Sequence, residues 1–215
     1  MGTYLNDVVR TYMDSMIDWE SMLRLRKGAD VDVAAEKAAL MEVLETAAAI
    51  CEEIEPEARA NWETPSTLED GAVVYPPHIQ RGYEKLAEAG LIAFGVDEQY
   101  GGFGLPSFVS NLILQMISRA DAGLMTIVGL QAGVAEDIQI YGSDELKQAY
   151  LPRFASGEVM GAMDLTEPQA GSDLGGIVTR PDRKGDHSVI NGEKIHIPNG
   201  GAGVHLVLAR DGASF

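Results

Sequence analysis

Residues 163–176 of this 215-residue chain read Met163-Asp164-Leu165-Thr166-Glu167-Pro168-Gln169-Ala170-Gly171-Ser172-Asp173-Leu174-Gly175-Gly176. The stretch begins with apolar residues typical of a strand end and then breaks into a turn rich in proline and glycine. Because so sharp a loop exposes backbone N–H groups, these groups and the hydroxyls of Thr166 and Ser172 would form a donor-rich surface suited to a phosphate or to the edge of a heterocycle. The same residue types are common in ordinary turns. Composition alone therefore leaves a ligand-binding loop and a plain turn both open.

Upstream of this loop the apolar residues recur at helical spacing. Helices are predicted in six segments, the first as one helix or a pair of short ones: residues 3–26, 33–61, 78–89, 107–119, 124–141 and 145–155. The fourth and fifth are nearly apolar throughout and should be largely buried. Residues 63–77 are rich in proline, serine and threonine and predict a loop. A glycine-rich stretch at 91–106 lacks the Lys-Ser/Thr ending of a P-loop, so a close backbone turn is the default interpretation.

After Gly157 the pattern changes to short apolar segments separated by turn signals. Strands are predicted at residues 159–165, 176–179, 188–190, 194–197 and 204–209, and Asn191-Gly192 predicts a two-residue hairpin turn. We place a domain boundary near Ser156. The predicted fold class is α+β, with an all-helical domain at residues 1–156 followed by the start of an antiparallel β domain at residues 157–215.

The net charge and the cysteine content argue against several classes of function. With 33 acidic and 16 basic residues the formal net charge is −17, which argues against nucleic-acid binding but not against a phosphorylated cofactor held in a local pocket. The single Cys51 excludes an internal disulfide, and its place on an apolar helical stripe favours a buried core role over a reactive thiol. Charged residues replace the apolar run of a signal peptide, and the longest apolar stretch is too short to span a bilayer. The composition predicts a cytoplasmic protein.

The loop pattern Leu-Thr-Glu-Pro-x-Ala-Gly-Ser-Asp-x-x-Gly resembles the signature of the acyl-CoA dehydrogenase family, flavoenzymes that desaturate acyl-CoA thioesters. The Gly101-Gly102-Phe103-Gly104-Leu105 loop and the order of the two domains resemble the same family. The resemblance implies a β-barrel as the second domain, FAD as cofactor, an acyl-CoA substrate, an electron-transferring flavoprotein or similar acceptor, and a homo-oligomer at full length. Several stretches, among them Leu-Pro-Arg-Phe-Ala-Ser-Gly-Glu, resemble the subgroup that acts on methylthiopropanoyl-CoA.

The resemblance also assigns residues to the cofactor. Flavin contacts are implied at Met163, Leu165, Thr166, Gly171, Ser172, His196, Ile197 and Pro198. Thr166 would face the flavin ring, and Ser172 would lie nearer the pyrophosphate and also contact the CoA thioester of the substrate. His196 and Pro198 stand where the family has tryptophan and threonine. An imidazole can stack on the flavin, but proline supplies neither a hydroxyl nor a backbone N–H, so a hydrogen bond from this position would be lost.

Family members continue into a C-terminal helical bundle that supplies the catalytic glutamate, and this sequence stops at Phe215. We therefore name no catalytic residue, expect these residues to be inactive alone, and expect Glu167 to fix the loop rather than to act as a base. Two other interpretations stay open. One is a non-catalytic relative that serves as an interaction module without flavin, favoured by His196 and Pro198. The other is a flavin oxidase or monooxygenase of the same fold.

Overall fold

A computed structural model describes residues 4–212, so that Thr3, where the first predicted helix begins, and Phe215 lie outside the described residues. The predicted helices are confirmed, and the first segment forms a pair. Their bounds are α1 Asp7–Ser15, α2 Trp19–Lys27, α3 Val33–Asn61, α4 Pro77–Glu88, α5 Ser107–Ala120, α6 Ala122–Tyr141 and α7 Asp144–Ala155.

Side-chain caps explain where several helices begin. Asp32 accepts a hydrogen bond from the Ala35 amide at the start of α3, and Asp121 accepts one from Leu124 at the start of α6. Helix α4 starts instead with Pro77 in its first turn, where a missing N–H costs no helical hydrogen bond. It ends before Gly90, whose φ of +71° favours glycine.

The core is built mainly from helical side chains. A large cluster joins α1 to α6, and α5 packs against both α3 and α6. A smaller cluster around Phe154 and Val134 joins α6 and α7 to the first strand of the β region. Cys51 lies in the large cluster with no exposed surface, as predicted, and burial raises the pKa of its thiol to about 12. This thiol is therefore a core group in the folded state.

The segment predicted as a loop at residues 63–77 contains a β-hairpin, so that prediction was wrong. Strand β1 Thr67–Glu69 pairs antiparallel with β2 Ala72–Val74. Asp70 and Gly71 form the two-residue turn with φ of 49° and 82°. Asp-Gly is a strong hairpin signal, and here it outweighed the neighbouring prolines.

The β region forms two further pairs, which confirms a mixed helix and sheet fold. Strand β3 Gly161–Asp164 pairs with β6 Val204–Val207, and β4 Arg180–Lys184 pairs antiparallel with β5 His187–Asn191. The β3–β6 pair is parallel, whereas an antiparallel domain was expected. The chain segment between β3 and β6 is long enough for a parallel pairing, because parallel neighbours need a long connection.

Three local predictions in this region were wrong. Residues 176–179 and 194–197 are not strands, and the β4–β5 turn lies at Gly185-Asp186 rather than at Asn191-Gly192. The amide of Thr179 bonds to a side chain instead of a neighbouring strand. A side chain at Gly192 would collide with Thr179, so this glycine is required by close approach and not by a turn.

Candidate functional site

The loop of residues 165–176 starts from a firmly anchored strand. A Cβ atom at Gly161 in β3 would come within 2.9 Å of Val134 in α6, so the strand lies directly against that helix. The side-chain amide of Asn199 donates to the backbone carbonyl of Gly161 at 2.9 Å and connects a distant turn to the same strand. Asn199 has a φ of 60°, a left-handed conformation that asparagine tolerates better than most residues. These contacts fix the position at which the loop begins.

Glu167 clamps the loop from the inside. Its side chain is 1% exposed and forms an ion pair with Lys194, whose side chain is 9% exposed, at an N–O distance of 2.9 Å. The carboxylate also accepts hydrogen bonds from the amides of Val178 at 2.7 Å and Thr179 at 3.0 Å. Lys194 donates a second hydrogen bond, to the carbonyl of Leu165 at 2.9 Å. The ion pair of Glu167 and Lys194 thus connects the start of the loop with the residues just beyond its end and with the segment that carries Lys194.

The ionisation of Glu167 follows from these contacts. Burial by itself raises the pKa of a carboxyl, but the hydrogen bonds from Thr179, Val178 and Lys194 outweigh burial and hold the pKa of Glu167 well below its usual range. A carboxylate so acidic and so fully bonded is a poor proton acceptor. The contacts of Glu167 are those of a residue that fixes the loop, and its having no role as a base stays a prediction.

The outer part of the loop presents unpaired donors. The amides of Gly171 and Ser172 donate to no acceptor among residues 4–212, and both residues are exposed. The hydroxyls of Thr166, which is half-buried, and Ser172 likewise have no hydrogen-bond partner within the described chain. Four donor groups on one short loop are what an electron-rich ligand requires.

A second segment forms a wall beside this loop. The amide of Ile195 donates to the carbonyl of Thr166 at 2.9 Å, which places residues 195–198 alongside the loop. His196 is exposed with a φ of 55°, and Ile197 and Pro198 are half-buried. The structure thus brings Leu165 and Thr166 next to the predicted wall. Met163 faces the other way, where its methyl group lies near Gly133 of α6, and Gly171 and Ser172 lie on the outer turn.

A cleft of about 850 Å³ lies on the helical side of this wall. Pro198 and Asn199 line one side of the cleft, and the ends of α3, α4, α5 and α6 line the rest. The hydroxyl of Tyr75 donates to the side-chain carbonyl of Asn199 and holds the wall to the helical part. Both polar and apolar side chains border the cleft.

Two polar side chains in the cleft were not predicted as site residues. His78 and Asp121 are 5% and 9% exposed, and their Nε2 and Oδ2 atoms are 3.6 Å apart. His78 belongs to the first turn of α4, and Asp121 is the N-cap of α6. An N-cap is a sequence signal for Asp121, but the approach of His78 depends on how α4 packs on α6, which no local pattern specifies.

The fold and site define a helical-plus-β protein in which a clamped, donor-rich loop lies beside the segment of residues 195–198, and that segment borders a ligand-sized cleft through Pro198. Residues 36–158 match the family model described as "Acyl-CoA dehydrogenase, N-terminal domain", and residues 162–214 match "Acyl-CoA dehydrogenase, middle domain". The chain belongs to the acyl-CoA dehydrogenase family, as the loop pattern predicted.

Known relatives agree with this assignment. A mitochondrial isobutyryl-CoA dehydrogenase of Dictyostelium discoideum is 34% identical over 140 residues, which are 65% of this chain and 33% of that protein. Among solved structures, glutaryl-CoA dehydrogenase from Mycobacterium smegmatis has a TM-score of 0.68 at 32% identity, covering 86% of this chain and 45% of that one. An acyl-CoA dehydrogenase complexed with FAD from Bacillus anthracis has a TM-score of 0.67 at 32% identity, covering 80% and 29%.

The chain spans about a third of the length of the curated relatives it matches, since 33% and 32% of the first two are covered. Among the residues that the structure describes, no helix combines the length and the apolar character needed to cross a membrane.

Proposed function

We propose that this chain is the N-terminal and middle portion of an FAD-dependent acyl-CoA dehydrogenase, an oxidoreductase that introduces an α,β double bond into an acyl-CoA thioester. The observation that carries the proposal is the loop of residues 165–176, whose outer donors are unpaired while its inner side is clamped by Glu167. Donors that are rigidly held and left without acceptors are prepared for a ligand.

The residues present fit the flavin. Thr166 and the amides of Gly171 and Ser172 would hold electron-rich atoms of FAD, and the segment 196–198 would line the flavin on a second side. When bound, FAD supplies the two-electron oxidation. The loss of a hydroxyl and an N–H at Pro198 leaves this wall without the donor expected from the family. The loop donors are therefore expected to carry more of the binding than the wall does.

The cleft beside Pro198 is the proposed place for the acyl group. It adjoins the proposed flavin wall, and its volume of about 850 Å³ is within the range of small-molecule sites. Ser172 on the outer turn is proposed to contact the thioester end of the substrate. We assign no catalytic residue to this chain, because Glu167 is already neutralised by Lys194, and propose that the base comes from a part of the protein outside it.

The test uses the full-length natural protein. We expect it to show a flavin absorbance band, which acyl-CoA bleaches under anaerobic conditions. Thr166→Val should weaken FAD binding about tenfold, because one hydrogen bond to a held ligand is lost. Ser188→Ala removes an exposed hydroxyl from β5 and serves as the matched control. A colourless protein that takes up no FAD would contradict the proposal.

That negative result would favour the second candidate, a non-catalytic interaction module that keeps the fold. The altered wall at His196 and Pro198 is the observation that supports it. A flavin that reacts rapidly with oxygen would instead indicate an oxidase or monooxygenase of the same fold. For the dehydrogenase, an electron-transferring flavoprotein or a similar acceptor, a homo-oligomeric state and a cytoplasmic location remain parts of the proposal. The methylthiopropanoyl-CoA subgroup stays a prediction.

A further inference from the structure

The cleft contains a buried polar pair whose hydrogen-bonding capacity is only partly used. The Nε2 and Oδ2 atoms of His78 and Asp121 are 3.6 Å apart, which is too long for a hydrogen bond. The Nδ1 atom of His78 has no hydrogen-bond partner among the described residues. Asp121 uses its other oxygen to accept the Leu124 amide at 3.0 Å. Buried polar groups are normally bonded, so a pair left in this state requires an explanation.

The His78–Asp121 pair is buried in the lining of the cleft. Ile79, Ala120 and Ile127 line the same cleft alongside polar side chains, but His78 and Asp121 are themselves only 5% and 9% exposed. A carboxylate and an imidazole in such a place lose solvation without gaining a full hydrogen bond. A plain hydrocarbon chain in the cleft would leave Nε2 of His78 and Oδ2 of Asp121 without a hydrogen bond to each other or to the ligand. A ligand that bonds to these two atoms would be favoured over one that does not.

Both groups are held in place by the fold. His78 follows the rigid Pro76-Pro77 step, and Tyr75 on the other side of that step is bonded to Asn199, the neighbour of Pro198. Asp121 cannot turn away without giving up the cap of α6. The pair therefore lies at a set distance from the proposed flavin wall. Only a group at one particular position along an acyl chain would therefore lie next to His78 and Asp121.

The hydrogen-bonding properties of His78 and Asp121 indicate which ligand group would bind beside them. A hydroxyl can accept a hydrogen bond from the Nε2–H of His78 and donate one to the carboxylate of Asp121 at the same time. A methyl group can do neither.

We propose that His78 and Asp121 form a specificity site that recognises a hydroxyl group on the acyl chain of the substrate. This inference rests on the proposed acyl-CoA dehydrogenase function and names the substrate class of the same cleft. A site built to hydrogen-bond a substrate hydroxyl discriminates strongly against the analogue that lacks it, because its own polar groups are then left unpaired.

The experiment measures binding to the full-length FAD-loaded protein by calorimetry. The probes are straight-chain acyl-CoA esters of increasing length, each compared with its terminally hydroxylated form. At one chain length we expect the hydroxylated ester to bind at least about tenfold more tightly. His78→Phe should abolish or reverse this preference. Asp121→Asn keeps an N-capping oxygen and should reduce the preference while the helix still forms.

Thr126→Val is the matched control, because Thr126 lines the same cleft but its hydroxyl is already bonded to the Ala122 carbonyl at 2.9 Å. It should leave the preference unchanged. Equal binding of the paired esters at every length, or a preference that survives in both His78→Phe and Asp121→Asn, would overturn the specificity site while the dehydrogenase proposal stands. A protein that binds no acyl-CoA and carries no flavin would overturn both.

Discussion

Replacing Lys194 with methionine tests whether the Glu167 clamp holds the candidate flavin loop. The substitution keeps a four-atom unbranched stem and removes the ammonium group, which contacts Glu167 and the Leu165 carbonyl at 2.9 Å each. Removing one partner of a buried ion pair typically costs 3–5 kcal/mol. The amides of Val178 and Thr179 still bond to the carboxylate, so we expect the lower end, about 3 kcal/mol.

The assay combines urea unfolding with hydrogen exchange at single amides. The midpoint should fall, and the Val178 and Thr179 amides should lose protection because the group that accepts them is destabilised. Lys85→Met is the matched control, since Lys85 also contacts a carboxylate at 2.8 Å but the two side chains are 38% and 62% exposed. It should cost less than about 1 kcal/mol. If Lys194→Met costs no more than this control, Glu167 does not organise the loop.

Three further predictions concern the frame around the site. Gly161→Ala should destabilise the protein by about 2 kcal/mol, since the added methyl would collide with Val134, and its melting temperature should fall by about 4–8 °C. Gly95→Ala, where nothing lies within 4 Å, should leave the melting temperature nearly unchanged. Cys51 should react with a thiol reagent only at the rate of unfolding, because burial raises its pKa to about 12, and rapid labelling of the native protein would contradict its core position. The lowered pKa of Glu167 stabilises the fold above the ordinary carboxyl pKa of about 4.3, and this contribution should be lost as the pH falls further; Glu167→Gln should lack that acid-induced loss in a pH series of unfolding experiments.

The helices could be predicted from the sequence because their signals are local. The 3.6-residue spacing of α3 and its capping Asp32 lie within one continuous segment, and the helix was found where expected. The β region was predicted less well because its pairings are not local. The sequence predicts a strand that includes Val178 and Thr179. In the structure their amides bond instead to the carboxylate of Glu167, eleven and twelve residues away.

The candidate site shows the same division. The loop donors at Thr166 and Ser172 could be named from the order of residues in one stretch. The clamp could be anticipated only as a role for Glu167, because its partner Lys194 lies 27 residues further along the chain. His78 and Asp121 were missed because only the packing of α4 against α6 brings them together, and neither residue type is unusual at its own position.

One short segment, residues 194–199, joins the parts of the site. Lys194 neutralises the clamp, Ile195 bonds to the loop through Thr166, Pro198 lines the cleft, and Asn199 bonds to Tyr75 and to β3. A shift of this segment must therefore change the donor loop and the cleft together. The side chains at residues 196–198 can nevertheless differ from those of the family while the loop stays intact. The bonds that hold the segment come from Lys194, Ile195 and Asn199, and none of them depends on the side chains of His196 or Pro198.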